Sequence, residues 1–116
     1  WADHLAQHGV DPAQGSVWCN PPYGRTLRHW MKKITEEAQQ LQTVVALIMA
    51  RTDTRWWQDH AMQCDEIRLI AGRVHFVGSA ISGAAPAPSA LLVFDKRYRW
   101  PQIKTVQLPR SESAKI

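Results

Sequence analysis

Residues 43–50 read TVVALIMA, an unbroken apolar run rich in β-branched side chains. A strand with one wet face alternates apolar and polar residues. This run does not, so it reads as a strand covered on both faces, as in a parallel sheet. Parallel neighbours need crossover connections. Helical patterns on either side of the run supply them, and this restricts the chain to a small set of α/β architectures.

The segments around the run support that frame. ADHLAQHG (2–9) reads as a short helical turn closed by Gly9. SVWC (16–19) is a brief apolar strand. In GRTLRHWMKKITEEAQQLQ (24–42), Leu27, Trp30, Met31, Ile34, Ala38 and Leu41 recur at helical spacing. The other side carries Lys32, Lys33, Glu36 and Glu37, which can pair one turn apart. A second helix is expected to begin near Thr54, capped by Thr52 or Asp53. EIRLIAGRVHFV (66–77) contains a strand interrupted at Gly72. GSAISGAAPAPS (78–89) is Pro/Gly-rich and reads as a loop, and ALLVFDK (90–96) as the last strand. Residues 97–116 lose periodicity and are expected to fray. The alternation predicts one α/β domain with helices on both faces of the sheet.

The stretch with the most chemistry is the corner VWCNPPYGR (17–25). Proline cannot donate to a strand ladder and holds the preceding residue extended. The corner is therefore stiff, and it falls at the carboxyl end of a strand, where open α/β sheets bind ligands. RTDT (51–54) follows the next strand and faces the same crevice if the two strands are neighbours. Asn20 offers an amide oxygen and Pro21 a carbonyl, two acceptors at fixed angles. They suit a planar aromatic amine with two hydrogens. Drawing both hydrogens into hydrogen bonds frees the nitrogen lone pair for attack, with no basic residue required. Tyr23 is placed to stack on a base swung out of its duplex. The plain alternative is a structural strand-to-helix turn, since Asn-Pro starts many turns.

NPPY after an apolar strand resembles the catalytic motif of amino-methyltransferases that use S-adenosylmethionine. The wider pattern is VWCNPPYGRTLRHWMKK, ARTDTRWWQD, EIRLIAGRVHF and PSALLVF, from Val17 to Phe94. It resembles the phage-type DNA N-6-adenine methyltransferase family. The resemblance implies the C-terminal portion of a Rossmann-like methyltransferase sheet, mostly parallel with an antiparallel end strand. It implies methyl transfer from S-adenosylmethionine to the amino group of a flipped adenine in double-stranded DNA. Asn20 and Pro21 would hold that amine, Pro22 would stiffen the loop, Tyr23 would stack on the base, and Asn20 would also face the cofactor. In that family a cofactor-binding half precedes the catalytic strand. This chain begins at Trp1, just upstream of that strand, and so reads as a fragment with an exposed sheet edge open to association.

Other residues carry weaker signals. Arg25 is a candidate phosphate contact or a solvated helix-start arginine. Arg51, Asp53 and Thr54 either contact DNA, or Asp53 caps the helix and pairs with Arg51. Arg73 either holds the DNA backbone or braces the sheet. Trp56 and Trp57 read as packing residues. His4 and His8 lie one helical turn apart with no third ligand nearby, so no metal is expected. The formal charge of +4 fits a polyanionic partner. Cys19 and Cys64 form no metal pattern and suit buried thiols in a reducing compartment. No apolar stretch reaches transmembrane length and no signal peptide is present, so the expected location is the cytoplasm of a bacterial host, with a phage or prophage gene implied by the resemblance. Two rival readings stay open: methylation of another planar amine, such as a protein glutamine or an RNA base, and a truncated non-catalytic remnant that binds nucleic acid.

Overall fold

The computed structural model of the chain describes residues 1–77, 84–98 and 102–107. The apolar run forms β2 (Thr43–Met49), and SVWC forms β1 (Ser16–Cys19). Between them α2 (Leu27–Ala38) makes the crossover, and the two strands pair in parallel from Ser16↔Thr43 to Cys19↔Ala46. Before β1, α1 (Ala2–Gln7) ends as expected at Gly9, whose φ is +79°. Gly9 N–H donates to the Ala6 carbonyl and Val10 N–H to the Leu5 carbonyl, a left-handed glycine closure of the last turn.

After β2 come α3 (Arg55–Asp59), a 3-10 turn (Ala61–Gln63) and β3 (Glu66–Ala71). Next are β4 (Ser89–Asp95) and β5 (Gln102–Gln107). The sheet order is β1-β2-β4-β3-β5. Only β4 runs against the other four. It lies at the centre of the sheet rather than at an edge. The crossover through α3 sets β3 one strand width away from β2, and β4 fills the gap with antiparallel partners on both sides.

Two expectations are corrected. The reading of 97–116 as a frayed tail fails over Gln102–Gln107, which pair with β3 as β5, from Glu66↔Gln102 to Ala71↔Gln107. The outer edge of β3 offers an unpaired ladder, and a local loss of apolar periodicity does not prevent a chain from filling it. Residues 99–101 and 108–116, and residues 78–83 of the expected loop, lie outside the described residues.

The second correction concerns the layers. Helices were expected on both faces, yet the described helices contribute to one face only. Val17, Cys19, Val44, Ala46, Ile48, Ile67, Ala90, Leu92 and Phe94 point to that face and meet Leu27, Met31 and Ile34 of α2 and Trp57 of α3. The opposite face carries a smaller cluster of Leu47, Ile70 and Val74, flanked by Phe76, Leu91 and Val106. There the covering element is chain rather than helix. Residues 72–77 fold back against residues 84–88, with an Ala85 N–H bond to the Val74 carbonyl and an isolated His75↔Ala84 bridge. β2 is thus buried on both sides, although its two covers differ in kind.

On α2 the Lys32–Glu36 and Lys33–Glu37 pairs form as the spacing suggests, at 3.9 and 2.7 Å. Glu37, expected on the wet side, is buried: it accepts from Lys33 Nζ and from the Ala2 N–H, which ties α1 to the end of α2. The Lys33 ammonium holds its carboxyl below the usual range, helped by the Ala2 N–H. Trp57 is buried as a packing residue, whereas Trp18 on the edge strand is 54% exposed. No described helix is long and apolar enough to cross a membrane.

At the amino end of β2, buried Asp95 accepts from the Thr43 hydroxyl and from the Arg97 side chain and N–H. The Arg97 guanidinium is the largest influence holding its pKa down, to about 2 from 3.8. A carboxyl depressed on folding stabilises the fold above its unfolded pKa and loses that contribution as pH falls through the folded value. Stability to urea should therefore fall as pH is lowered from about 3.8 to about 2, and Asp95→Asn should flatten that part of the profile. A variant profile as steep as the wild type would remove Asp95 from the acid response.

Both cysteines are free and buried. Burial raises the Cys19 thiol and pushes Cys64 up to about 12. Since the thiolate is the reactive form, labelling by a thiol reagent at neutral pH should proceed only as fast as the chain opens. It should accelerate steeply in urea, and labelling at the rate of a free peptide thiol in native buffer would contradict the burial.

Candidate active site

β1 stops early. Its last residue, Cys19, is level with Ala46, while β2 continues three residues further, to Met49. Pro21 and Pro22 have no N–H to extend the ladder, so the chain leaves the sheet there. At about 3.3 Å per residue, this leaves a step roughly 10 Å deep beside β2. Asn20 stands on that step, exposed, and makes no side-chain hydrogen bond among the described residues. Pro21 is buried and Pro22 exposed, which anchors one side of the elbow and leaves the other open. Gly24 has φ +120°, a conformation that L side chains rarely adopt, and its carbonyl accepts from the Leu27 N–H as α2 begins. The elbow is thus fixed by two prolines before the tyrosine and one glycine after it.

Tyr23 is half-buried, with its hydroxyl shielded from solvent. Burial raises the phenol pKa, and the nearby Ser89 hydroxyl opposes that rise. The ring meets Phe76 edge-on, with centroids 5.7 Å apart. Phe76 belongs to the segment that covers the second face of the sheet, so the step beside Asn20 has an aromatic wall.

The loop after β2 reaches the same end of the sheet. Ala50 N–H donates to the Pro88 carbonyl at 2.7 Å, tying the ends of β2 and β4 together. Arg51 and Asp53 are both exposed, and no ion pair joins them among the described residues. The expectation of a cap from Thr52 or Asp53 is corrected. Thr54 is the cap: its hydroxyl accepts from the Trp57 N–H at 3.3 Å and donates to the Arg51 carbonyl at 2.7 Å. Extended backbone at Thr54 puts its Oγ1 over the open N–H groups of α3.

Arg25 is exposed just before α2. Arg73 is exposed after β3, with Nη1 3.5 Å from the Ala85 carbonyl across the covering segment. The parallel pairing of β1 with β2 thus puts the Asn20 elbow and the Arg51–Thr54 loop at one end of the sheet, and Arg73 follows β3 at that end. His4 on α1 and His8 just past its end have ring centroids 4.5 Å apart.

Two residues of this neighbourhood escaped the sequence reading: Phe76 and Ser89. Phe76 lies within the GRVHF string, where the alternation of Val74 and Phe76 signals a strand-like face. Nothing local to it points to Tyr23. Ser89 looks like a loop residue after two prolines, and only the sheet register shows it as the buried first residue of β4, opposite Met49.

A family model described as DNA N-6-adenine-methyltransferase (Dam) matches residues 4–115 of the chain, a span that contains every residue of the site. No curated protein and no solved structure matches.

The capping geometry carries its own check. Thr54→Ala should cost about 1 kcal/mol in urea unfolding, while Asp53→Ala should change stability by no more than a few tenths. Equal losses would mean that the acid shares the cap.

Proposed function

The chain belongs to the DNA N-6-adenine-methyltransferase family, and on that premise we propose that the elbow at Asn20–Tyr23 is where the exocyclic amine of a flipped adenine accepts a methyl group. The observation that carries this reading is the exposed, unengaged Asn20 on the step at the end of β1, beside the Tyr23–Phe76 wall. A packed-shut elbow, with the amide turned inward, would have left no room for a base.

In this reading the Asn20 amide oxygen and the Pro21 carbonyl each accept one hydrogen of the amine. That draws the nitrogen out of conjugation with the ring, and the acceptors stabilise the positive charge that grows on it as the bond forms. Pro22 keeps the two acceptors at a fixed separation. Tyr23 stacks on the base and Phe76 closes the aromatic side, which offsets part of the cost of unstacking the nucleotide. Arg25, Arg51 and Arg73 face the phosphates on either side, and none of the three has an acidic partner among the described residues. Asp53 and Thr54 line the loop between them. The Thr54 hydroxyl is already engaged in the cap, so its contribution is to hold the loop in shape.

S-adenosylmethionine, when bound, supplies an electrophilic methyl on a sulfonium. Asn20 fits a role beside it, because the residue is exposed at the end of β1 and its side chain makes no hydrogen bond among the described residues. The outer edge of β1 pairs with no strand among the described residues, and Trp18 stands exposed on it. Both favour association along that edge.

Asn20→Ala should reduce methyl transfer to adenine in duplex DNA by at least about a hundredfold while leaving the urea midpoint within experimental error. The measurement is incorporation of labelled methyl groups, with circular dichroism as the folding control. Undiminished transfer would remove Asn20 from the chemistry.

A further inference from the structure

Both helices that follow the site loops open on an arginine. Arg28 lies in the first turn of α2 and Arg55 is the first residue of α3, and neither first turn holds an acidic residue. A helix start carries a partial positive charge and is steadied by acids, so a cation there costs stability. Both residues are exposed, and neither makes an ion pair among the described residues. Arg28 donates from Nε to His29 Nε2 at 3.4 Å, which leaves its two terminal nitrogens without a partner among the described residues. Asp59, one turn beyond Arg55, does not pair with it. The fold itself makes no use of these two charges.

Topology sets them side by side. α2 and α3 pack on one face of the sheet and follow the carboxyl ends of the parallel strands β1 and β2. Away from those ends, Thr35 Oγ1 of α2 lies 3.4 Å from His60 Nδ1 at the end of α3. Arg28 precedes Thr35 by seven residues, and Arg55 precedes His60 by five. At 1.5 Å per residue they stand about 10 and about 8 Å beyond that contact, nearly level with each other. Packed helix axes lie about 8–10 Å apart. The loop arginines Arg25 and Arg51 come three and four residues before them, and Asp53 is the only acidic residue in segments 25–28 and 51–55.

We propose that Arg28 and Arg55 form a two-point clamp on the sugar–phosphate backbone of duplex DNA, on the helix-covered side of the crevice. Each guanidinium takes a phosphate through two parallel N–H bonds. The charge that is unfavourable at a bare helix start becomes favourable once a phosphate pairs with it. The clamp reads no sequence, and it sets the register of the duplex so that one nucleotide stands opposite Asn20. It rests on the reading of the elbow as the methyl-acceptor site, and it carries the contact from the loops onto the helix layer.

Binding of a short fluorescein-labelled duplex, followed by anisotropy across a salt series, tests the clamp. Arg28→Ala and Arg55→Ala should each weaken binding about fivefold at low salt. Each should also reduce the slope of log K against log salt by about one, whatever the duplex sequence, and the double variant by about two. The urea midpoint should hold or rise, because a cation leaves a helix start. Lys96→Ala removes a charge just after β4, at the opposite end of the strands, and should leave the slope unchanged. Slopes unmoved by the arginine variants, an equal change with Lys96→Ala, or no binding by the wild-type chain overturns the clamp. A lowered midpoint marks the arginine as structural and overturns it as well. Asn20→Ala separates the two readings, since it should cut methyl transfer and keep the full salt slope. Undiminished transfer in that variant, with reduced slopes in the arginine variants, would sink the elbow and leave the backbone contact standing.

Discussion

The molecule depends on the parallel register between β1 and β2. Four residue pairs, from Ser16↔Thr43 to Cys19↔Ala46, bring the end of β1 beside the middle of β2. The unequal lengths of the two strands make the step on which Asn20 stands. That register is held from beneath by α2, whose Met31 and Ile34 are fully buried against the Val44, Ala46 and Ile48 side of β2. Shifting the pairing by one residue would turn Val17 and Cys19 to the other face and Trp18 into the helix layer. The fit of α2 against alternate residues of β1 and β2 therefore selects the geometry of the site.

The two faces of the sheet divide the work. The helix-covered face supplies most of the buried apolar surface and hence most of the stability. The other face is closed by residues 72–77 and 84–88, a cover with little regular structure, and this is the face that meets Tyr23. An aromatic wall built on a folded-back segment can be shaped without disturbing the core, because the core lies on the far side of the strands. The buried acids are separated from this end too. Glu37, Glu66 and Asp95 are matched with Lys33, Arg68 and Arg97. The exposed arginines Arg25, Arg51 and Arg73 lie at the carboxyl ends of the strands.

Several features were legible along the chain because their causes are local. Val44 to Met49 had to be a doubly covered strand because the run offers no polar face, and Gly9 had to end a turn because it alone there tolerates a positive φ at no cost. The NPPY elbow declared itself through the backbone chemistry of proline. Other features depended on contacts between distant residues. β5 was missed because its partner edge exists only after β3 and β4 have paired. Helices on both faces were expected from alternation alone, but which face a crossover covers is a matter of handedness and packing. The cap was expected at Thr52 or Asp53, one or two residues early, because all three residues are N-cap types in sequence, and the turn at Arg51 decides for Thr54.

The sequence by itself determined the alternating α/β order, the stiff corner and its acceptors, and the family, since each follows from residue type and spacing along one stretch. The tertiary structure alone decided that β4 lies at the centre of the sheet, that Asn20 is left open on a step, and that Tyr23 meets Phe76. Those outcomes depend on which strand ends come to lie side by side. Side chains far apart in the chain become neighbours only through the register of the sheet, and that register is set by packing across whole elements.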